Sequence, residues 1–161
     1  MKTALIIIDL QREFKPSRRL VARIARRRQD PSFDLTVFTQ FENPAGSLYR
    51  SELDYEKMAP GSSGTELVVA PAKGDWLVTK ETYGLPGTLI RRLRRKGITH
   101  VELCGVDTDA CVLAAMFTLF DAGIVVRVDE SLTSGRLKRS ARPIMLRQFG
   151  SKSYRSSRSR S

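Results

Sequence analysis

A chain of 161 residues is long enough for one domain with a sizeable single core, and its 41% apolar content is that of a globular protein, which excludes global disorder. The formal charge of +11 is unevenly placed: Arg136 to Ser161 carries nine Lys or Arg and no acid, so the charge describes one end of the chain more than the domain. Two cysteines, Cys104 and Cys111, are too few for a disulfide framework and fit a reducing cytoplasm. The apolar run Ala4–Ile8 is shorter than a signal-peptide core and far shorter than a membrane span.

In chain order, Ala4–Ile8 is a continuous β-branched-rich run of the kind buried on both faces of a parallel sheet. Ser17 is placed to cap a helix with Leu20, Val21, Ile24 and Ala25 at helical spacing, closed by Asp30-Pro31. Leu35–Thr39 reads as a second strand and Trp76–Thr79 as a third. Between them, Asn43–Asp75 is rich in Gly, Pro and Ser and reads as a long functional loop with a short helical turn. Thr88–Lys96 is helical, with Leu89, Ile90 and Leu93 inward and Gly97 as its stop.

His100–Val106 reads as a fourth strand. Asp109 then caps an apolar helix to Ala122, Ile124–Val128 is a fifth strand, and a helix from about Leu137 to Phe149 is expected to be interrupted at Pro143. Strands alternating with helices imply an α/β fold, a three-layer α-β-α arrangement around a mainly parallel sheet of five or six strands. One domain over residues 1–150 is expected, followed by a low-complexity basic Ser/Arg tail, 151–161, too poor in apolar residues to pack.

Ligand sites in such a sheet lie outside the carboxyl ends of the strands. Asp9 directly follows the first strand, Lys80 the third, and Cys111 comes just after the fourth, so three complementary groups converge on one edge. Cys111 in the first turn of a helix would have its thiolate favoured by the helix dipole and by Lys80. Asp9 would exchange the thiol proton with a leaving amine, and an oxyanion would meet backbone N–H groups of the turn 105–111. Taken singly, each residue has a plainer account: a buried small apolar Cys, a turn Asp, a surface Lys.

Three segments together resemble the isochorismatase-like cysteine hydrolases, which include nicotinamidases and N-carbamoylsarcosine amidase. Ile8-Asp9-Leu10-Gln11-Arg12-Glu13-Phe14 is similar to the family's Asp-x-Gln-x-x-Phe start. Thr79-Lys80-Glu81-Thr82-Tyr83-Gly84 is similar to its Lys-x-x-Tyr-Ser/Gly segment, and Gly105-Val106-Asp107-Thr108-Asp109-Ala110-Cys111-Val112 follows its Gly-Val-x-Thr-x-x-Cys-Val signature. The resemblance spans Met1 to Gly135.

It implies a nucleophile Cys111, a base Asp9 and a third member Lys80. It further implies a cis peptide at Val106-Asp107, an oxyanion hole from the backbone N–H groups of Asp107 and Cys111, and a pocket wall drawn from Gln11, Phe14, Phe41 and Tyr83. The implied reaction is cleavage of an amide or carbamoyl C–N bond of a small molecule through a covalent acyl-enzyme.

The chain departs from the family in three places. Where nicotinamidases carry a metal-binding Asp-x-His, it has Phe41-Glu42-Asn43, and its single histidine is His100, so no metal and no other cofactor is expected. Asp107 stands where the family has a small or neutral residue, and the sixth apolar strand of the family is replaced by polar Ser151–Ser156. These last two departures also fit an impaired hydrolase fold serving in binding or assembly. A vinyl ether hydrolase, which dispenses with the thiol, is the alternative chemistry.

A homo-oligomer is implied by the resemblance alone. No membrane partner is expected. The Arg26-Arg27-Arg28 run and the tail lack interleaved aromatics, so nucleic acid binding is expected to be absent or non-specific.

Overall fold

The computed structural model describes residues 1–155. Six strands, β1 (Lys2–Ile8), β2 (Leu35–Phe41), β3 (Trp76–Lys80), β4 (Ile98–Val106), β5 (Val125–Ser134) and β6 (Tyr154–Arg155), form one sheet in the order β3-β2-β1-β4-β5-β6. Every neighbouring pair is parallel. Successive β1 residues point to opposite faces of the sheet, and both faces are dry. Ile6 and Ile8 join a core with α3 (Gly87–Lys96), α4 (Leu113–Asp121) and α5 (Lys138–Phe149). Leu5 and Ile7 pack with Leu20 and Ile24 of α1 (Arg18–Arg28) on the other face.

The local signals act as read: the Ser17 hydroxyl accepts from the Leu20 N–H, 3.2 Å away, and Gly97 ends α3 in the left-handed region at φ 77°. The segment after β2 holds only the short α2 (Leu48–Ser51) and a 3₁₀ turn at Ser63–Thr65. The basic run of α1 is largely occupied within the fold. Arg27 grips Glu102 with bonds of 2.6 and 2.7 Å and pairs with Asp30, and Arg28 pairs with Asp75.

Four details differ from the sequence reading. α5 runs unbroken through Pro143, which forgoes one backbone bond in the second turn. β5 continues to Ser134 because its pairing with β4 shifts register between Leu103 and Gly105 and resumes at Thr133. A sixth strand exists beyond residue 150: Tyr154 is buried and pairs with Val128, so at least Tyr154 and Arg155 belong to the sheet. The tail expected to be disordered lies otherwise, over 156–161, outside the described residues. Asp109 does not cap α4. A single π-helical turn, Thr108–Val112, precedes that helix, and the Asp109 carboxylate accepts instead from the N–H of Leu137 at 3.2 Å, tying the turn to the start of α5.

Candidate active site

The strand order reverses between β1 and β4, the place where an open parallel sheet leaves a crevice at its carboxyl edge. Asp9 leaves β1 with φ 46°, a region that non-glycine residues seldom occupy, and this turns its side chain inward, where it is wholly buried. Thr39, at the end of β2, holds it twice: its hydroxyl donates to Asp9 Oδ1 at 2.6 Å and accepts from the Asp9 N–H at 3.1 Å.

Lys80, the last residue of β3, reaches across Phe41 with its ammonium 5.3 Å from the ring centre. Its Nζ lies 2.8 Å from Asp9 Oδ2, donates to the Thr82 carbonyl at 2.7 Å, and stands 3.6 Å from Cys111 Sγ. The Asp9–Lys80 contact is a wholly buried ion pair. Cys111 sits in the π-helical turn, 9% exposed, and the Val106-Asp107 peptide before that turn is cis.

Burial first, and the Asp9 carboxylate second, push the Cys111 thiol well above its ordinary range. Lys80 opposes this without reversing it. The acidifying effect expected of Lys80 is present, but burial and Asp9 outweigh it, so the expectation of a thiol favoured as the thiolate is corrected. Burial thus favours the neutral thiol, with the Asp9 carboxylate acting in the same direction. Cys104, wholly buried inside β4, is also shifted upward by burial and lies in the core as read.

Cys111 opens on a cavity of about 280 Å³, whose walls include Phe14, Phe41, Tyr49, Tyr55, Tyr83 and Asp107. Three expected wall residues, Phe14, Phe41 and Tyr83, are there. Gln11 is not, and this is a second correction: it is wholly buried, and its amide is spent on the backbone of Phe41 at both ends (2.9 Å each) and on the Thr65 carbonyl at 2.8 Å. Gln11 ties the exits of β1 and β2 to the long loop.

Tyr49 and Tyr55 were missed. Tyr49 bridges the wall, its ring edge-on to Phe41 and to Tyr83 with centres 5.0 Å apart in each case. Burial and nearby negative groups raise the hydroxyl pKa values of Tyr49 and Tyr55 to about 12, so both stay protonated donors at neutral pH. The one signal available in sequence was their position, the two aromatics of a loop rich in Gly, Pro and Ser.

The metal-ligand positions of nicotinamidases are filled here by residues that do not fit a metal. Phe41 has no donor atom. The Asn43 amide donates to the carbonyls of Tyr55 (2.6 Å) and Lys57 (2.9 Å) and its oxygen accepts from Ser47, which pins the loop. Among the described residues no group of three or more His, Cys, Asp or Glu is arranged to hold a metal ion. His100 lies near the start of β4, at the opposite end of that strand from the site.

The family model named Isochorismatase domain matches residues 3–149. The chain belongs to the isochorismatase family.

Solved structures agree on the fold of this family member. The nicotinamidase/pyrazinamidase of Bacillus subtilis superposes with a TM-score of 0.82 at 22% identity, over 97% of this chain and 99% of that one. N-carbamoylsarcosine amidase from Thermoplasma acidophilum gives 0.79 at 24% identity, over 100% and 98%. The pyrazinamidase of Pyrococcus horikoshii in complex with zinc gives 0.76 at 22% identity, over 97% and 98%. No curated protein matches the chain by sequence. Among the described residues no helix is long and apolar enough to cross a membrane.

Proposed function

We propose that this family member is a cysteine hydrolase that cleaves an amide or carbamoyl C–N bond of a small molecule, with Cys111 as nucleophile, Asp9 as proton carrier and Lys80 as the cation that holds them. The observation that carries this is the buried Lys80 ammonium in contact with both Asp9 Oδ2 and Cys111 Sγ, where Cys111 opens on a cavity large enough for a small ligand. In the first half-reaction Asp9 Oδ2 takes the thiol proton as Sγ attacks the carbonyl carbon. The negative oxygen is received by the N–H groups of Asp107 and Cys111. The C–N bond then breaks, Asp9 returns the proton to the leaving nitrogen, and an acyl thioester remains. In the second, water attacks the thioester, Asp9 accepts its proton, and collapse releases the acid and restores the thiol.

A neutral resting thiol suits this sequence, because the base that takes the proton is also the acid that delivers it. The activities for which the similar structures are named, on nicotinamide, pyrazinamide and N-carbamoylsarcosine, support the amidase class for this site. A cytoplasmic setting, a homo-oligomeric state and the absence of a metal in catalysis belong to the same reading.

The test is acid-quench mass spectrometry during turnover of a panel of small amides and ureides. An acyl adduct on the Cys111 peptide, absent with Cys111→Ser, is expected. Hydrolysis that persists undiminished in Cys111→Ala would refute the covalent route and turn attention to vinyl ethers.

A further inference from the structure

The hydrolysis just described uses the backbone of Asp107 and leaves its side chain without a task. That side chain faces the cavity, half-buried, and no hydrogen bond or ion pair among the described residues engages its carboxylate. The cations nearby are spoken for: Lys80 is paired with Asp9, and Lys57 with Glu13. Five aromatic rings, Phe14, Phe41, Tyr49, Tyr55 and Tyr83, contribute to the same walls. A desolvated carboxylate with no partner is costly, and π faces attract cations, so both features favour one kind of occupant.

Resting on the amidase reading, we propose that Asp107 and the aromatic wall form a cation subsite, and that the substrate is a small amide or carbamoyl compound carrying a positively charged nitrogen close to its scissile carbonyl. The closeness follows from the turn: Asp107 is the N-cap of the π-helical turn in which Cys111 stands four residues on, and both residues line the one cavity. The field inside the cavity agrees. Burial first, then Asp109 and Asp9, hold the Asp107 carboxyl above its usual range, and Asp9, Asp107 and Glu13 each add to burial in raising a wall tyrosine. A bound cation relieves that accumulation of negative charge, whereas an anionic substrate adds to it. The cavity of about 280 Å³ sits at the small end of ligand pockets and limits the cationic group to a few heavy atoms.

The experiment uses an isosteric pair, trimethylammonioacetamide and its neutral carbon analogue 3,3-dimethylbutanamide, titrated by calorimetry into the Cys111→Ala protein so that no turnover intervenes. The cation is expected to bind about tenfold or more tightly than the neutral analogue, and Asp107→Asn in the same background is expected to erase that preference. Equal binding, preference for the neutral compound, failure of the cation to bind at millimolar concentration, or a preference that survives Asp107→Asn would each overturn the proposal. Should Asp107→Asn fail to fold, protection of Cys111 in the unaltered protein decides. Tetramethylammonium chloride is expected to slow iodoacetamide alkylation relative to sodium chloride, and equal rates would count against the subsite. Turnover is read separately: cation binding without hydrolysis by the unaltered enzyme would weigh against the amidase reading and leave the subsite standing.

Discussion

Replacing Lys80 by Met is expected to abolish turnover and to destabilise the fold by about 3–5 kcal/mol, whereas the double replacement Asp9→Asn, Lys80→Met recovers most of that stability and none of the activity. The reason is the burial of the pair. With side chains 0% and 1% exposed, neither charge has water to turn to, and removal of the ammonium leaves the Asp9 carboxylate with the Thr39 hydroxyl as its one hydrogen-bond donor to Oδ1 and none to Oδ2. Asp9→Asn alone is expected to cost less than Lys80→Met. The ammonium left behind retains the Thr82 carbonyl at 2.7 Å and has Cys111 Sγ at 3.6 Å. Urea unfolding of the three variants measures the cycle. Single and double variants of equal stability would mean that the ion pair is dispensable to the fold.

Gly105→Ala is expected to cost about 2–6 kcal/mol, since left-handed strain and overpacking add at one position. Gly105 lies opposite Ile8 in the β1–β4 ladder with φ 113°, and a Cβ there would come within 2.1 Å of the Ile8 carbonyl oxygen and 2.7 Å of its nitrogen. The obstacle is backbone, which cannot rotate away as a side chain can. Relief would have to part β1 from β4 at the point where Asp9 and the Cys111 turn leave the sheet, so surviving protein should also lose activity. Gly123 provides the comparison: its φ is 73°, but no atom lies within 4 Å of a new Cβ, and Gly123→Ala should cost only about 1–2 kcal/mol. Equal denaturation midpoints for the two alanine variants would show that the close approach of the strands carries no energetic weight.

The features legible in sequence are those with a period or a fixed chemical signature. Ala4–Ile8 is apolar at every position, and only a strand covered on both faces accommodates that, which is where β1 lies. Asp9, Lys80 and Cys111 could be grouped because each follows a strand, and parallel strands deliver their ends to one edge.

Features without a period escaped. β6 is two residues long and buries Tyr154 alone, so no alternation marks it. β5 passes through Asp129 and Glu130 within a register shift, between Val128 and Thr133, which in sequence looks like the strand's end. Gln11 and Asp109 are polar residues beside the nucleophile or base, and sequence does not reveal that their side chains are spent on backbone groups of distant segments. Tyr49 and Tyr55 owe their places in the wall to a loop pinned by the Asn43 amide, a tertiary contact with no local signature.

The sign of the Cys111 pKa is the clearest case of structure reversing a reading made residue by residue. A cysteine at a helix start near a lysine suggests a standing thiolate, yet burial and the Asp9 charge together outweigh the lysine. This makes the assignment of Asp9 as the base directly measurable through the rate of iodoacetamide alkylation of Cys111 against pH, in the unaltered protein and in Asp9→Asn. Because Asp9 raises the thiol pKa while Lys80 lowers it, Asp9→Asn is expected to shift the alkylation profile to lower pH and speed alkylation at neutral pH, even as amide turnover is lost. An Asp9→Asn protein whose thiol reacts no faster, or one that still turns over amides, would contradict the account of Asp9 as the group that takes and returns the Cys111 proton.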